Sequence, residues 1–140
     1  MTLDLNEIKM RPAVATDLKR LVGIEHSVNS DYVWQVDVRK LEGQISTTLR
    51  EVRLPRTVQV TYPRDVFSLT DQWNRGALTL VATLDGISLG YIRIFEQPTA
   101  ASVWVMDLVV STEARRSGVA STMLQAVQAW AKKRENRQIF

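Results

Sequence analysis

Val103-Trp-Val-Met-Asp-Leu-Val-Val110 runs directly into Ser111-Thr-Glu-Ala-Arg-Arg-Ser-Gly-Val-Ala-Ser-Thr-Met-Leu124. The first run is apolar and rich in β-branched residues, which predicts a strand, whereas the second opens as a polar turn and continues as a helix. Because the first N–H groups of a helix are unpaired and carry partial positive charge, a helix start attracts anions. Gly118 lacks a Cβ, and Arg115 and Arg116 add side-chain charge. The stretch therefore predicts a phosphate-binding loop at the end of a strand; the structural alternative is an ordinary strand-turn-helix with a tight glycine turn.

The motif Arg115-x-x-Gly118-x-Ala120 after an apolar strand resembles the acyl-CoA signature of the GNAT superfamily of N-acyltransferases. The resemblance implies that acetyl-CoA is the co-substrate and that backbone amides of the loop hold its pyrophosphate. It also implies that the strand before the loop offers backbone groups to the pantetheine arm through a splay or bulge. The cofactor-binding residues implied in this way are Leu108, Val109, Val110, Arg115, Arg116, Ser117, Gly118, Val119, Ala120 and Ser121.

Two further segments resemble the same family. Ile8 to Leu18 is similar to the opening strand and first helix of many GNAT proteins, and Val81 to Tyr91 is similar to their central hairpin. In that hairpin, Asp85-Gly86 predicts a type I′ turn, and Gly90 predicts a bulge or a close backbone contact. The expected fold class is α/β (α+β): a mixed, mainly antiparallel central sheet with flanking helices.

Periodicity predicts the remaining elements. Thr16 is the expected N-cap of a first helix, and apolar residues at steps of three and four predict a second helix over Arg39 to Arg53. A connector over residues 27–37 and a short strand over Val58 to Tyr62 flank that second helix. The helix after the loop is expected over Val119 to Arg134, with an apolar stripe of Val119, Met123, Val127 and Trp130.

Composition limits the possible functions. A chain of 140 residues with 45% hydrophobic residues predicts one domain over residues 1–140. No apolar run approaches the length of a membrane span, and the first residues are acidic, so we expect a cytoplasmic protein without membrane partners. With no cysteine and one histidine, a metal site is not expected. The net charge of +3 suits an anionic ligand and does not by itself require nucleic acid.

Candidate catalytic and acceptor residues are few. Direct transfer needs a general base for the attacking amine, and Asp107 in the strand before the loop is the candidate, with a water relay as the alternative. Tyr32 and Trp34 would face the same way in an extended segment, either as a wall of the acceptor pocket or as aromatic residues that cover the core. His26 is interpreted as a cation at a helix end.

The chain ends at Gln138-Ile-Phe140, which resembles the start of another strand. GNAT proteins normally continue with that strand, a helix and two more strands, so the resemblance implies a C-terminally truncated domain without its usual tyrosine general acid. An open edge on the Val103–Val110 strand would recruit another chain, which predicts a homodimer or a partly unfolded, aggregating chain.

Three function classes follow. The first is an acetyl-CoA-dependent N-acetyltransferase acting on a primary amine, and the second is a non-catalytic acetyl-CoA-binding module. The third is a phosphate- or nucleotide-binding regulatory domain, although the loop lacks the Gly-Lys-Ser/Thr of a P-loop.

Overall fold

The computed structural model describes residues 3–73, 75–136 and 138–140, without the side chains of Gln72 and Pro98. The elements in chain order are β1 (Lys9–Pro12), α1 (Leu18–Val22), β2 (Val28–Leu41), β3 (Gln44–Val60), α2 (Ser68–Gln72), β4 (Ala77–Leu84), β5 (Ile87–Gln97), β6 (Ser102–Val110), α3 (Val119–Lys133) and β7 (Gln138–Ile139). The chain divides into two compact units, Met1–His26 with Arg64–Phe140, and Ser27–Pro63. Each unit is described by itself.

The larger unit contains a sheet whose described strands have the order β1-β4-β5-β6-β7. The first three pairings are antiparallel, and β6 pairs with β7 in parallel. Helix α3 buries Val119, Met123 and Val127 in a cluster with Ile92 and Ile94 of β5. Trp130 packs against that cluster while partly exposed. The expected mixed, mainly antiparallel sheet and the apolar stripe of α3 are therefore confirmed.

The β4–β5 hairpin follows its sequence signals closely. Asp85 and Gly86 both have positive φ, 49° and 78°, as a type I′ turn requires. The register shifts between Ala82 and Thr83, so a bulge lies next to Gly90. A Cβ at Gly90 would overlap the carbonyl oxygen of Val109. Both predictions for Gly90, a bulge and a close backbone contact, are confirmed.

The first helix begins differently from the prediction. Thr16 lies inside a 3₁₀-helix (Ala15–Asp17) that leads into the five-residue α1, so the N-cap prediction is wrong. Asp17 organises this start instead, because its carboxylate accepts hydrogen bonds from the Val14 N–H at 2.8 Å and from both terminal nitrogens of Arg11 at 2.7 and 2.8 Å. Those Arg11 bonds lower the pKa of Asp17 from 3.8 to about 2.

The predicted helix over Arg39 to Arg53 is wrong: residues 28–60 form a two-stranded hairpin that turns at Glu42-Gly43. The predicted connector over 27–37 lies mostly in β2, and the short strand predicted from Val58 is the end of β3. A spacing of four residues, as between Ile45 and Leu49, fits strand alternation as well as a helical stripe. The β-branched and aromatic residues, together with the turn at Gly43, favour a hairpin over a helix.

The predicted strand at the end of the chain is present. Gln138 pairs with Ser102 and Ile139 pairs with Val103. The Phe140 N–H donates to the Val103 carbonyl at 2.9 Å, and its carbonyl accepts from the Val105 N–H at 2.7 Å. The described helices include none long and apolar enough to cross a membrane.

Candidate active site at the end of strand β6

A pocket of about 470 Å³ lies between the end of β6 and the first turn of α3. A short 3₁₀-helix (Thr112–Ala114) and a tight turn connect the two elements. The pocket is lined by Val110, Ala114, Arg115, Arg116, Gly118, Val119, Ala120 and Ser121. The structure thus brings seven of the ten predicted cofactor-binding residues to one place.

The backbone of the loop makes the pocket possible. Arg116 and Gly118 have φ values of 63° and 92°, so the chain reverses sharply before α3. Gly118 is the N-cap residue of α3 and offers no capping side chain. The N–H groups of the first turn therefore keep their capacity to bind an anion. Ser117, by contrast, donates its hydroxyl to the Ala114 carbonyl at 2.5 Å and stabilises the turn.

The two arginines of the loop differ in their surroundings. The Arg115 guanidinium donates to the Val110 carbonyl at 3.0 Å and to the Glu25 carbonyl, so it ties the loop to the end of β6 and to the segment after α1. Arg116 is exposed beside the pocket. Of the two, Arg116 has the more accessible charge for a phosphate group.

Gly118 also lies close to the side chain of Leu5. A Cβ built on Gly118 would lie 2.8 Å from Cδ1 of Leu5, in the 3₁₀-helix Leu5–Glu7. Together with the positive φ, this contact means that a larger residue at 118 would strain the loop and disturb Leu5. A substitution at Gly118 therefore reports on the fold as well as on ligand binding.

Strand β6 carries a bulge just before the loop. Arg93 pairs with Asp107 while Ile94 pairs with Val105, which leaves Met106 without a partner on β5. Arg64 donates to the Met106 carbonyl and so fixes the bulged residue from the side. Leu108 and Val110 pack against the α3 core, whereas Val109 is buried and pairs with Tyr91. The predicted bulge in the strand before the loop is therefore present, and Leu108 and Val109 lead from it to the pocket.

Asp107 lies next to the bulge and is buried, with 6% of its area exposed. One carboxylate oxygen is 3.6 Å from Nε of Arg64, and the other is 3.7 Å from a terminal nitrogen of Arg93. A buried carboxylate needs such cations to offset its desolvation. The two arginines therefore hold Asp107 as an ion-paired group within the sheet.

Tyr91 and His26 form a second polar contact on β5. His26 Nε2 lies 2.9 Å from the Tyr91 hydroxyl, and His26 Nδ1 lies 2.5 Å from the Ile24 carbonyl. Burial, followed by the charge of Asp107, raises the pKa of Tyr91. Because α1 ends at Val22, His26 follows the helix and makes specific contacts, so its interpretation as a helix-end cation is wrong.

Sequence reasoning missed Arg93, Arg64 and Tyr91 as parts of this cluster. The sequence does point to Arg93, because a charged residue between Ile92 and Ile94 interrupts an apolar strand and indicates a buried ion pair. No sequence pattern points to Arg64, because it follows the hairpin and comes next to β6 only in the tertiary fold. The described residues contain no group of three His, Cys, Asp or Glu side chains that could hold a metal ion.

Tyr32 and Trp34 lie in β2 of the hairpin unit. They occupy alternate positions, opposite Arg53 and Glu51 of β3, so they face the same side of the hairpin as predicted. Both are exposed.

A family model described as "Acetyltransferase (GNAT) family" matches residues 47–140. The chain belongs to the GNAT acetyltransferase family. The match includes β4 to β7, the bulge and the loop before α3, so the resemblance drawn from the loop motif is confirmed. A search of curated proteins finds no match.

Solved GNAT structures share this fold at low sequence identity. Nourseothricin acetyltransferase superposes with a TM-score of 0.72 at 21% identity, over 93% of this chain and 69% of that one. A putative streptothricin acetyltransferase from Bacillus anthracis, in complex with acetyl coenzyme A, superposes with a TM-score of 0.67 at 19% sequence identity. That match covers 94% of this chain and 72% of the other. A ribosomal-protein-alanine N-acetyltransferase from Brucella melitensis superposes with a TM-score of 0.59 at 13% sequence identity, over 94% of this chain and 77% of the other. These similarities establish the fold.

Proposed function

We propose that this chain is an acetyl-CoA-dependent N-acetyltransferase that transfers an acetyl group to a primary amine. The observation that carries the proposal is the pocket of about 470 Å³ at the N-terminus of α3, directly beyond the bulged strand β6. It combines unpaired backbone donors, an exposed arginine and small side chains, which is the donor set that a pyrophosphate needs. The acetyl-CoA complex of a structural neighbour supports the choice of co-substrate.

The residues would divide the binding between them. The N–H groups of Val119, Ala120 and Ser121 and the side chain of Arg116 would hold the pyrophosphate. The β6 backbone from Asp107 to Val109, between the bulge and the loop, would offer N–H and C=O groups to the amides of the pantetheine arm, which the side chains of Leu108 and Val109 would flank.

Acetyl-CoA supplies a thioester whose acetyl group passes to the amine. In that exchange a C–N bond forms and the C–S bond breaks; the amine loses one proton and the thiolate gains one. The part of this chain is to orient the thioester along β6 and to polarise its carbonyl with a backbone N–H near the Met106 bulge. Polarisation favours attack because negative charge develops on that oxygen.

Two proton acceptors remain in the proposal. Asp107 lies one residue beyond the bulge, and Arg64 and Arg93 fix its position. The alternative is a chain of water molecules that leads the proton to solvent. An Asp107→Asn variant separates them, because a direct base contributes about a hundredfold or more to the rate whereas a bystander contributes little.

The acceptor is proposed to be a primary amine bound partly by aromatic side chains. Tyr32 and Trp34 are the proposed acceptor-binding residues because they are exposed neighbours on one face of β2. The names of the structural neighbours suggest which amines to test first: streptothricin-type antibiotics and a peptide that begins with alanine.

The second candidate is a non-catalytic acetyl-CoA-binding module. The ion pairs that hold Asp107 inside the sheet favour it, since they give this carboxylate a structural role already. Calorimetric titration with acetyl-CoA, followed by thioester consumption with the amine panel, distinguishes the two. An enzyme binds acetyl-CoA and consumes it only when an amine is present, a binding module binds without turnover, and absence of binding contradicts both.

We also propose a cytoplasmic location, where acetyl-CoA would be available, and a homodimer. The β6 edge predicted from sequence as the dimer contact is also the proposed path of the pantetheine arm. A dimer that binds acetyl-CoA therefore needs another surface.

A further inference from the structure

Before the bulge at Met106, the odd-numbered residues of strand β6 turn their backbone groups away from β5. The Val103 carbonyl accepts a hydrogen bond from the Phe140 N–H at 2.9 Å, and the Val105 N–H donates to the Phe140 carbonyl at 2.7 Å. Phe140 directly follows β7, which lies on the side of β6 opposite to β5. In a strand without a bulge, strict alternation would keep the odd-numbered residues on that side throughout.

After the bulge, the odd-numbered residues face β5 instead. The Ser111 N–H donates to the Leu89 carbonyl at 2.8 Å. Because antiparallel pairing repeats every second residue, Val109 and Asp107 also direct their N–H and C=O groups at β5. The N–H of Leu108 therefore points away from β5. It is the first backbone donor beyond the bulge on the side from which acetyl-CoA would have to approach β6, because β5 covers the other side.

Arg64 holds the bulge at two successive residues. Its Nη2 donates to the Met106 carbonyl, and its Nε lies 3.6 Å from one carboxylate oxygen of Asp107. Because the guanidinium is planar and its donors form a rigid fork, these two contacts orient the backbone carbonyl with respect to the carboxylate. A lysine would place a charge beside the same groups but would not fix their relative orientation.

Arg93 supports the same carboxylate from inside the sheet. Its terminal nitrogen lies 3.7 Å from the second oxygen of Asp107, and both of these side chains are buried, whereas 40% of the Arg64 side chain is exposed. If Arg64 is removed, Asp107 keeps its buried cation, so the fold should persist. The Met106 carbonyl, however, loses the donor that orients it. Loss of Arg64 should therefore loosen the bulge more than it destabilises the sheet.

From this arrangement we propose that Arg64 is a positioning residue of the acetyl transfer: it stabilises the bulge that turns the Leu108 N–H toward the thioester carbonyl of acetyl-CoA. The inference rests on the proposed function and adds a residue to it. Arg64 itself neither gains nor loses a proton, since a guanidinium stays charged. Bulges next to active sites re-aim groups in this way. One donor to a developing oxyanion contributes about 10²–10³-fold to kcat, and a displacement of about 1 Å costs on the order of a hundredfold.

The carbonyl stretch of bound acetyl-CoA tests the proposal without an amine. Acetyl-CoA with ¹³C at the acetyl carbonyl gives an infrared band that isotope-edited difference spectra resolve in the complex, and an N–H that polarises the oxygen lowers its frequency. Wild type should lower the frequency relative to free acetyl-CoA. Arg64→Ala and Arg64→Lys should return it toward the free value, while calorimetry gives a Kd within about threefold of wild type because the phosphate pocket is intact.

Arg134→Ala is the matched control. Arg134 is also an exposed arginine that pairs with a carboxylate of the sheet, at 2.9 Å from Glu96, but Glu96 lies opposite Val103 and before the bulge. This variant should match wild type in carbonyl frequency. With an amine of the panel that is acetylated, Arg64→Ala should lower kcat at least about tenfold, and Arg134→Ala should not.

The outcomes separate this inference from the proposed function. Wild type that does not bind acetyl-CoA would contradict both. Binding with an unshifted carbonyl band in wild type, or with the wild-type frequency in folded Arg64→Ala, would overturn the role of Arg64 alone. Arg64→Lys decides the case in which Arg64→Ala does not fold by circular dichroism, because it keeps a charge beside Asp107; a frequency equal to that of wild type would then overturn the proposal. Failure of both variants to fold would make Arg64 a structural residue and would overturn it as well.

Discussion

Replacing Gly90 with alanine should destabilise the fold and weaken acetyl-CoA binding together. The added methyl group would lie 3.0 Å from Met123 Cε and from Val110 Cα, and it would overlap the Val109 carbonyl oxygen. The obstacle at Val109 is backbone, so β6 must move by about 1 Å to reach ordinary contact distance. Overpacking of this kind costs about 1–3 kcal/mol, and we expect the upper end. For 140 residues that corresponds to a fall in Tm of roughly 10 °C.

Gly23→Ala is the matched control. At Gly23 a Cβ would meet the Lys19 carbonyl oxygen at 3.4 Å, an ordinary contact, so the change in unfolding free energy should stay within about 0.5 kcal/mol. Urea unfolding followed by tryptophan fluorescence gives the stabilities, and calorimetry gives the affinities. Since Val109 and Val110 lead into the pocket, Gly90→Ala should also weaken acetyl-CoA binding by more than threefold. A Gly90→Ala protein as stable as Gly23→Ala, with unchanged affinity, would refute the reasoning.

Three other changes test separate parts of the structure. The pKa of Asp17 is lower in the folded chain than the value of about 3.9 expected in the unfolded chain, so ionised Asp17 stabilises the fold above that pH by about 2 kcal/mol. This contribution should be lost as the pH falls toward about 2. Urea midpoints measured across that range should show the loss in wild type and not in Asp17→Asn. Arg116→Ala should weaken acetyl-CoA binding and flatten its salt dependence, measured by titration at two ionic strengths, whereas Arg115→Ala should mainly lower stability, by about 1–3 kcal/mol. If Asp107 is the general base, Asp107→Asn should lower kcat at least a hundredfold while the acetyl-CoA Kd stays within threefold of wild type. A decrease in kcat of less than about tenfold in steady-state assays would show that water removes the amine proton.

The sequence predicted the elements whose signals are local. The turn at Asp85-Gly86, the alternation of β4 and the apolar stripe of α3 depend on neighbouring residues, and the structure contains all of them. The pocket was predictable for the same reason, because strand end, loop and helix start are consecutive in the chain.

Elements with ambiguous periodicity were mispredicted. Ile45 and Leu49 satisfy a helical stripe and a strand face equally, and only pairing between β2 and β3 decides between them. The start of α1 was misplaced because the Arg11–Asp17 ion pair, a contact across six residues, determines it. The Arg64–Asp107–Arg93 cluster depends on contacts between segments far apart in sequence, which a pattern of neighbours does not reveal.

Acetyl-CoA affinity in the pair Ala120→Asp and Ala120→Asn tests the central claim most directly. Ala120 lines the pocket in the first turn of α3, where an acidic residue stabilises a helix, so neither variant should lose its fold. A carboxylate about 5 Å from the pyrophosphate would cost about 1–3 kcal/mol, and the neutral amide of the same size would not repel it. We predict that Ala120→Asp binds acetyl-CoA at least tenfold more weakly than Ala120→Asn in calorimetric titration. Equal affinities of the two folded variants would show that the phosphates bind elsewhere and would contradict the proposed site.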